Sequence, residues 1–185
     1  MYVSIDTETG GFSKTKNGVC EIGMVIAERD FTVVNTFHYL IKPYCQEDSD
    51  ELVVYHPDAM AVNGICISDL ETKGKDVTDV IGAFIAELYH VKSARPEITI
   101  IGHNSKRFDF PVLNYLCERF NQKNAFLDHF QSEDTMLLAK EKLFLPSYSL
   151  ESLCNHFEIK NEKAHSALGD AYATLELFKH LQGLD

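Results

Sequence analysis

Met1-Tyr2-Val3-Ser4-Ile5-Asp6-Thr7-Glu8-Thr9-Gly10-Gly11 is the stretch that decides the fold. Its β-branched, alternating start predicts a strand over 2–6. Period-two geometry sets Asp6 and Glu8 on one face of that strand and Met1, Val3 and Ile5 on the other. Two further β-branched and aromatic runs follow, at 19–27 and 31–41. Glu28-Arg29-Asp30 between them is short enough for a hairpin turn. An antiparallel meander of three strands accounts for all of this.

Beyond the meander the pattern alternates. Residues 42–57, with Pro43, Pro57 and the acidic run 47–51, read as a surface loop. Short helices are expected at 58–63 and 67–72. Val77, Val80, Ile81, Phe84, Ile85 and Leu88 carry the spacing of an amphipathic helix over 77–90. Residues 97–103 read as a short buried strand, 109–120 as a helix, and 126–130 as another short strand. Helices are expected at 134–142, at 149–157 with Ser149 as N-cap, and at 167–182. The expected architecture is α/β: a mixed central sheet, made of the meander plus parallel strands and flanked by helices.

The chain has 185 residues, 45% of them apolar, which favours a single domain over 1–185 with a packed interior. No run approaches the length of a membrane span, and no secretory signal is evident, so a cytoplasmic protein with no membrane partner is expected. Five scattered cysteines form no Cys-x-x-Cys pair and read as reduced, buried thiols. With 17 Lys and Arg against 28 Asp and Glu, the net charge is −11. A passive nucleic-acid binder is usually basic, so the charge argues against that class. It argues less against an enzyme that engages a chain end briefly, because bound cations reverse the local sign of an acidic site.

Paired carboxylates such as Asp6 and Glu8 repel unless a cation lies between them, and oxygen donors suit hard ions such as magnesium or manganese. An Asp-x-Glu also arises by chance about once in a few hundred residues, so alone it reads equally as an exposed acidic strand end. Thr9-Gly10-Gly11 allows either a tight turn or close approach of backbone to a ligand. In Gly102-His103-Asn104-Ser105-Lys106-Arg107-Phe108-Asp109-Phe110-Pro111 a strand passes through a polar turn into a helix. Asp109 falls at the helix start, where a capping role competes with a functional one. The carboxyl end of a strand in an α/β sheet is nevertheless where ligands tend to sit.

His165 and Asp170 are five apart, about 140° around a helix, and cannot share a helical face. They reach one centre only if His165 precedes the helix, with Ser166 as N-cap and Asp170 in the first turns.

Taken together these segments resemble the DEDDh exonucleases of the DnaQ-like superfamily, which have a ribonuclease-H-like fold. Asp6-Thr7-Glu8-Thr9-Gly10 matches the first motif, Asp109 stands at the second, and His165-Ser166-Ala167-Leu168-Gly169-Asp170 matches the third. The resemblance spans nearly the whole chain. Three residues, Ser105-Lys106-Arg107, separate His103-Asn104 from Phe108-Asp109-Phe110-Pro111. That longer form, together with Tyr148-Ser149-Leu150, is similar to the three-prime repair (TREX-like) exonucleases. Val62-Asn63-Gly64-Ile65 occupies the place of an Ile-Thr-Gly-Ile-like segment, with Asn63 departing from the usual threonine.

The resemblance implies a metal-dependent 3′–5′ exonuclease releasing 5′-mononucleotides, with 3′ ends of DNA preferred to RNA and single strands preferred to duplex. It implies two Mg²⁺ or Mn²⁺ ions held by Asp6, Glu8, Asp109 and Asp170, and His165 as the general base. Expected substrate contacts are Thr9, Gly10, Asn63, Ile65, Asn104 and Phe108. Lys14, Lys16, Lys106 and Arg107 are candidate phosphate contacts. Homodimerisation is common among TREX-like relatives and is an expectation here. The alternatives are a proofreading or RNA-trimming exonuclease of the same superfamily, a catalytically silent binding module, and an acidic cluster that is only structural.

Overall fold

Residues 19–27 form the most deeply buried strand, and their neighbours assemble around it. The computed structural model describes residues 1–95, 97–121 and 130–184. Strands β1 (Tyr2–Thr9), β2 (Val19–Ala27) and β3 (Val33–Leu40) form the antiparallel meander. Strands β4 (Thr99–Gly102) and β5 (Gln131–Asp134) add to it in parallel, giving the order β3-β2-β1-β4-β5. β2 lies between β1 and β3 with helices on both faces, so all nine of its residues are buried.

Strand alternation divides the interior in two. Val3 and Ile5 of β1 and Ile22, Met24 and Ile26 of β2 face one side. There they pack on helices α3 (Val77–Ala94) and α4 (Asp109–Asn121), chiefly through Ile81, Phe84, Leu88, Leu113 and Leu116. On the other side Val25, Ala27 and Ile101 pack against Ala171, Leu175 and Phe178 of α7 (Ala167–Gln182). Helices α5 (Thr135–Lys142) and α6 (Leu150–His156) join α7 through Ala139, Leu153, Leu177 and Leu181. Two short helices, α1 (Pro57–Asn63) and α2 (Ile67–Lys73), follow the meander. Pro57 begins α1, where its missing N–H is harmless, and Gly64 ends it at φ 67°, a left-handed conformation that suits glycine.

The expected elements that fall on described residues are present with shifted ends. β1 runs on through Thr9, which places Glu8 within the strand. Phe31, expected to open the third strand, lies in the turn at φ 67°. Its ring stacks on Tyr2 at 4.9 Å and lies beside Phe178, so packing on the α7 side takes it out of the ladder. Of the strand expected at 126–130, residues 126–129 lie outside the described residues, and β5 begins at Gln131. Within the expected loop at 42–57, Tyr44 and Val53 are buried against the core. No helix among the described residues is long and apolar enough to cross a membrane.

Candidate active site

The site is built where β1 ends and α7 begins. Along the antiparallel ladder Asp6 lies opposite Gly23 and Glu8 opposite Glu21, so these four positions share the α7 face of the sheet. Gly23 is what lets the helix come down on the strand: a Cβ there would collide with the backbone of Ala167 and Leu168. Ser166 caps α7 by accepting the N–H of Gly169 at 3.2 Å. Asp170 is thereby placed in the first turn, facing β1. One carboxylate oxygen from each of Asp6, Glu8 and Asp170 lies within 4.8 Å of the others.

His165 precedes the cap in a loop, as the five-residue offset requires, and its φ of 63° is left-handed. Its backbone N–H donates to Asp170 Oδ2 at 3.2 Å, and Asn161 Nδ2 donates to Asp170 Oδ1 at 2.6 Å. The loop carrying the imidazole is thus tied to the carboxylate beside it. A cavity of about 280 Å³ opens here, lined among others by Leu150, Cys154, Ile159, Asn161, His165 and Asp170.

Asp109 is the first residue of α4 and is almost fully buried. Its Oδ1 accepts the Thr7 N–H at 3.0 Å and the Thr7 hydroxyl at 2.6 Å, tying α4 to β1 between Asp6 and Glu8. It stands outside the trio of converging oxygens. Its charge nevertheless acts on Asp6, second only to burial.

Burial and mutual repulsion dominate the electrostatics. Asp6 is pushed well above the usual carboxylate range by burial, then by Asp109, Asp170, Glu8 and Glu21. Glu8 is pushed up to about 8 by burial, with Asp170, Glu21 and Asp109 adding to it. Burial raises Asp109 to about 6 against the opposing hydrogen bonds from Thr7. Burial also raises Asp170, opposed by Asn161 and the His165 N–H. Carboxylates crowded this way ionise together only with a cation among them. An all-oxygen donor set fits a hard divalent ion such as magnesium or manganese.

The expected substrate residues ring the same strand ends. Thr9 Oγ1 donates to the carbonyl of Gly11. Gly10 is buried, with its N–H on Gly18 and its carbonyl accepting from His56, and it is glycine because Tyr55 packs against its Cα. Packing against Tyr55 and Val54 is sufficient to require glycine there. Asn63 is buried and spans the turn, donating to the Thr9 carbonyl and accepting the Ile65 N–H at 3.0 Å. Asn104 sits at φ 54° with its N–H on Asp134, a buried aspartate that also caps α5. Phe108 is half-buried and meets Phe12 edge to face at 5.9 Å. Lys14, Lys16, Lys106 and Arg107 are exposed.

Four residues at or beside the site were not singled out from sequence: Glu21, Asn161, Asp134 and Phe12. Phe12 is 93% exposed, immediately after the glycine pair. The one signal available for Glu21 was a lone charge inside a nine-residue apolar strand.

A family model described as Exonuclease matches residues 3–178. Ribonuclease T of Shewanella frigidimarina is 31% identical over 187 residues, covering 95% of this chain and 79% of that protein. Ribonuclease T of Shewanella denitrificans is 29% identical over 190 residues, covering 97% and 79%. Among solved structures, E. coli Exonuclease I in complex with a dT13 oligonucleotide superposes with a TM-score of 0.79 at 23% identity, over 99% of this chain. The zinc-ion-bound form of an E. coli Exonuclease I–ssDNA complex gives 0.77 at 24% identity, over 96%. This chain spans 41% and 39% of those two proteins. The likeness to them establishes the ribonuclease-H-like fold.

Proposed function

The chain belongs to the exonuclease family of the DnaQ-like superfamily, and on that premise we propose that it hydrolyses the terminal linkage at the 3′ end of a single strand, releasing 5′-mononucleotides. The observation that carries this reading is the convergence of Asp6, Glu8 and Asp170 oxygens within 4.8 Å, with His165 tied to the last of them. These three carboxylates would hold the metal, with Asp109 contributing from α4. Two magnesium or manganese ions bound there would stabilise the attacking and leaving oxygens of the displacement.

The chain's own groups do the rest. The imidazole of His165 is exposed at the site edge, where it can accept the proton of the attacking water. The hydroxide portion joins phosphorus, the bond to the 3′ oxygen breaks, and that oxygen takes a proton from solvent. The backbone tie from His165 to Asp170 holds the loop that carries the imidazole beside a proposed metal ligand. Phe12 and Phe108 offer ring faces beside the strand end, and base stacking on such rings suits unpaired nucleotides.

DNA is the proposed substrate. RNA is the second reading, favoured by the 31% identity to a protein named Ribonuclease T. The test is digestion of matched oligonucleotides, DNA and RNA, single-stranded and duplex, labelled at the 5′ end, with and without chelator. A ladder shortening from the 3′ end, abolished by chelator, supports the reading. Internal cuts, or hydrolysis unaffected by chelator, would overturn it.

A further inference from the structure

Glu21 shares the face of the sheet with Asp6 and Glu8 and is 4% exposed. Its charge works against its neighbours: it adds to the repulsion felt by Asp6, Glu8 and Asp170. A buried carboxylate that worsens a crowded site calls for a compensating task. Both of its oxygens are occupied. Oε2 accepts the buried N–H of Ala167 at 2.9 Å, and Oε1 pairs with Nε2 of His38 on the neighbouring strand β3.

Ala167 is the first residue of α7. Its N–H is one of the helix-start donors that no carbonyl of the same helix can satisfy, and the positive end of the helix favours an anion. Ser166 satisfies Gly169 from within the loop. Glu21 does something different, because it ties the helix start to the sheet. Gly23, two residues along on the same face, provides the bare backbone on which Ala167 and Leu168 rest. The helix is therefore seated by contact at Gly23 and held in register by a charge-assisted hydrogen bond at Glu21. Two residues before this anchor is His165, and three residues after it is Asp170.

We infer that Glu21, itself held by His38, is a positioning residue: it sets the first turn of α7 over β1, and so fixes Asp170 against Asp6 and Glu8 and seats His165. The inference deepens the exonuclease reading and rests on it. The distinction from a merely structural role lies in the conservative variant. In Glu21→Gln an amide oxygen can still accept from Ala167 and an amide N–H can still reach His38, while the charge is gone. In Glu21→Ala both ties are lost.

Manganese affinity by calorimetry, together with kcat and KM on a 3′-end substrate, decides the matter. Glu21→Ala is expected to raise the Mn²⁺ dissociation constant roughly 10–100-fold, the usual effect of losing a group that orients metal ligands. It should lower kcat with KM within about twofold of the wild type, since the anchor orients the reacting groups and touches no substrate. Glu21→Gln should restore both to within a few fold. A folded Glu21→Ala protein with wild-type Mn²⁺ affinity and kcat overturns the inference. So does a Glu21→Gln protein as impaired as Glu21→Ala, because placement would then not be the requirement. Should Glu21→Ala fail to fold, His38→Ala carries the test, as its side chain is 44% exposed. Unchanged Mn²⁺ affinity there is equally fatal. If the wild type binds Mn²⁺ and cuts no nucleic acid, the exonuclease reading falls while the affinity comparison still judges Glu21.

Discussion

Raising the pH of the metal-free protein from about 6 to about 8 should lower its melting temperature, and Glu8 sets the size of the effect. A free glutamate titrates near its ordinary value of 4.5, whereas burial beside Asp170, Glu21 and Asp109 pushes Glu8 up to about 8. The folded protein therefore keeps a proton that the unfolded chain has released. The stability linked to that proton is fully present below pH 4.5 and drains away as pH climbs through 8. Across the interval chosen, folded Glu8 passes from almost wholly protonated to half ionised, while unfolded Glu8 is ionised throughout. Integrating the difference gives a loss of about 2 kcal/mol. For a chain of this size that is a fall of about 4–8 °C.

Scanning calorimetry on chelator-treated protein reads this directly, provided the Glu8→Gln variant is measured beside the wild type. Glutamine has no proton to lose, so the variant's slope with pH should be shallower by the amount just worked out. Asp6 is raised by burial as well and acts in the same direction in both proteins; the variant also relieves Asp6 of the repulsion from Glu8, so the difference in slope reports Glu8 together with that coupling. Near pH 8 the metal-free variant should melt above the wild type. Saturating Mn²⁺ should remove the wild type's extra slope, since the cation then balances the charge that the proton had suppressed. Identical slopes for the two metal-free proteins would mean that folded Glu8 holds no such proton.

Other substitutions separate the roles assigned to individual groups. Asp170→Asn should lower kcat at least about 100-fold by removing a metal ligand, yet melt no lower than the wild type, because one repulsive buried charge is gone; turnover assays and thermal melts check both halves. His165→Ala should lower kcat by about 10²–10⁴-fold while leaving calorimetric Mn²⁺ affinity unchanged. Phe12→Ala should raise KM for single strands by a factor corresponding to about 1–3 kcal/mol of stacking, with no change in melting temperature, because the ring is 93% exposed. Gly23→Ala should destabilise by about 1–3 kcal/mol, as the new methyl forces α7 off the sheet, and calorimetry should show weakened Mn²⁺ binding.

What could be read from the sequence was whatever depends on local periodicity and local caps. Strand alternation put Asp6 and Glu8 on one face, and the five-residue offset forced His165 out of the helix that carries Asp170; both are so in the structure. Glu21 was not legible, because its position relative to Glu8 depends on the register of a hairpin whose loop spans 10–18. Glu21 next to Glu8 makes sense only once α7 has come back from the far end of the chain to offer an N–H. Asn161 and Phe12 are loop residues, and the direction of a loop side chain follows from tertiary packing that no short-range pattern encodes. Phe31 shows the same limit. Its strand propensity is real, but two aromatic neighbours on the α7 side outweigh a place in the ladder.

The architecture divides the chemistry between two elements of opposite electrostatic character. β1 and β2 supply carboxylates, and with Asp109 and Asp170 these make a site too acidic to ionise by itself. α7 presents its N-terminus to the same spot, where the positive end of the helix dipole partly offsets that charge. Asp170 rides on the helix, so its own negative charge sits where the dipole favours it most. The remaining excess can be balanced by protons or by cations, which makes proton loss and metal binding linked. Candidate positive side chains are Lys14 and Lys16 after Phe12, Lys106 and Arg107 before Phe108, and Lys163 against Gly169 at the start of α7. On the proposed reading, with few candidate phosphate contacts, hold on the strand would come from the metal-bound terminus and from ring stacking, and both would engage only the last nucleotides. On that reading an acidic body with a metal-neutralised pocket would favour chain ends over chain interiors, because an interior segment would meet repulsion along most of its length.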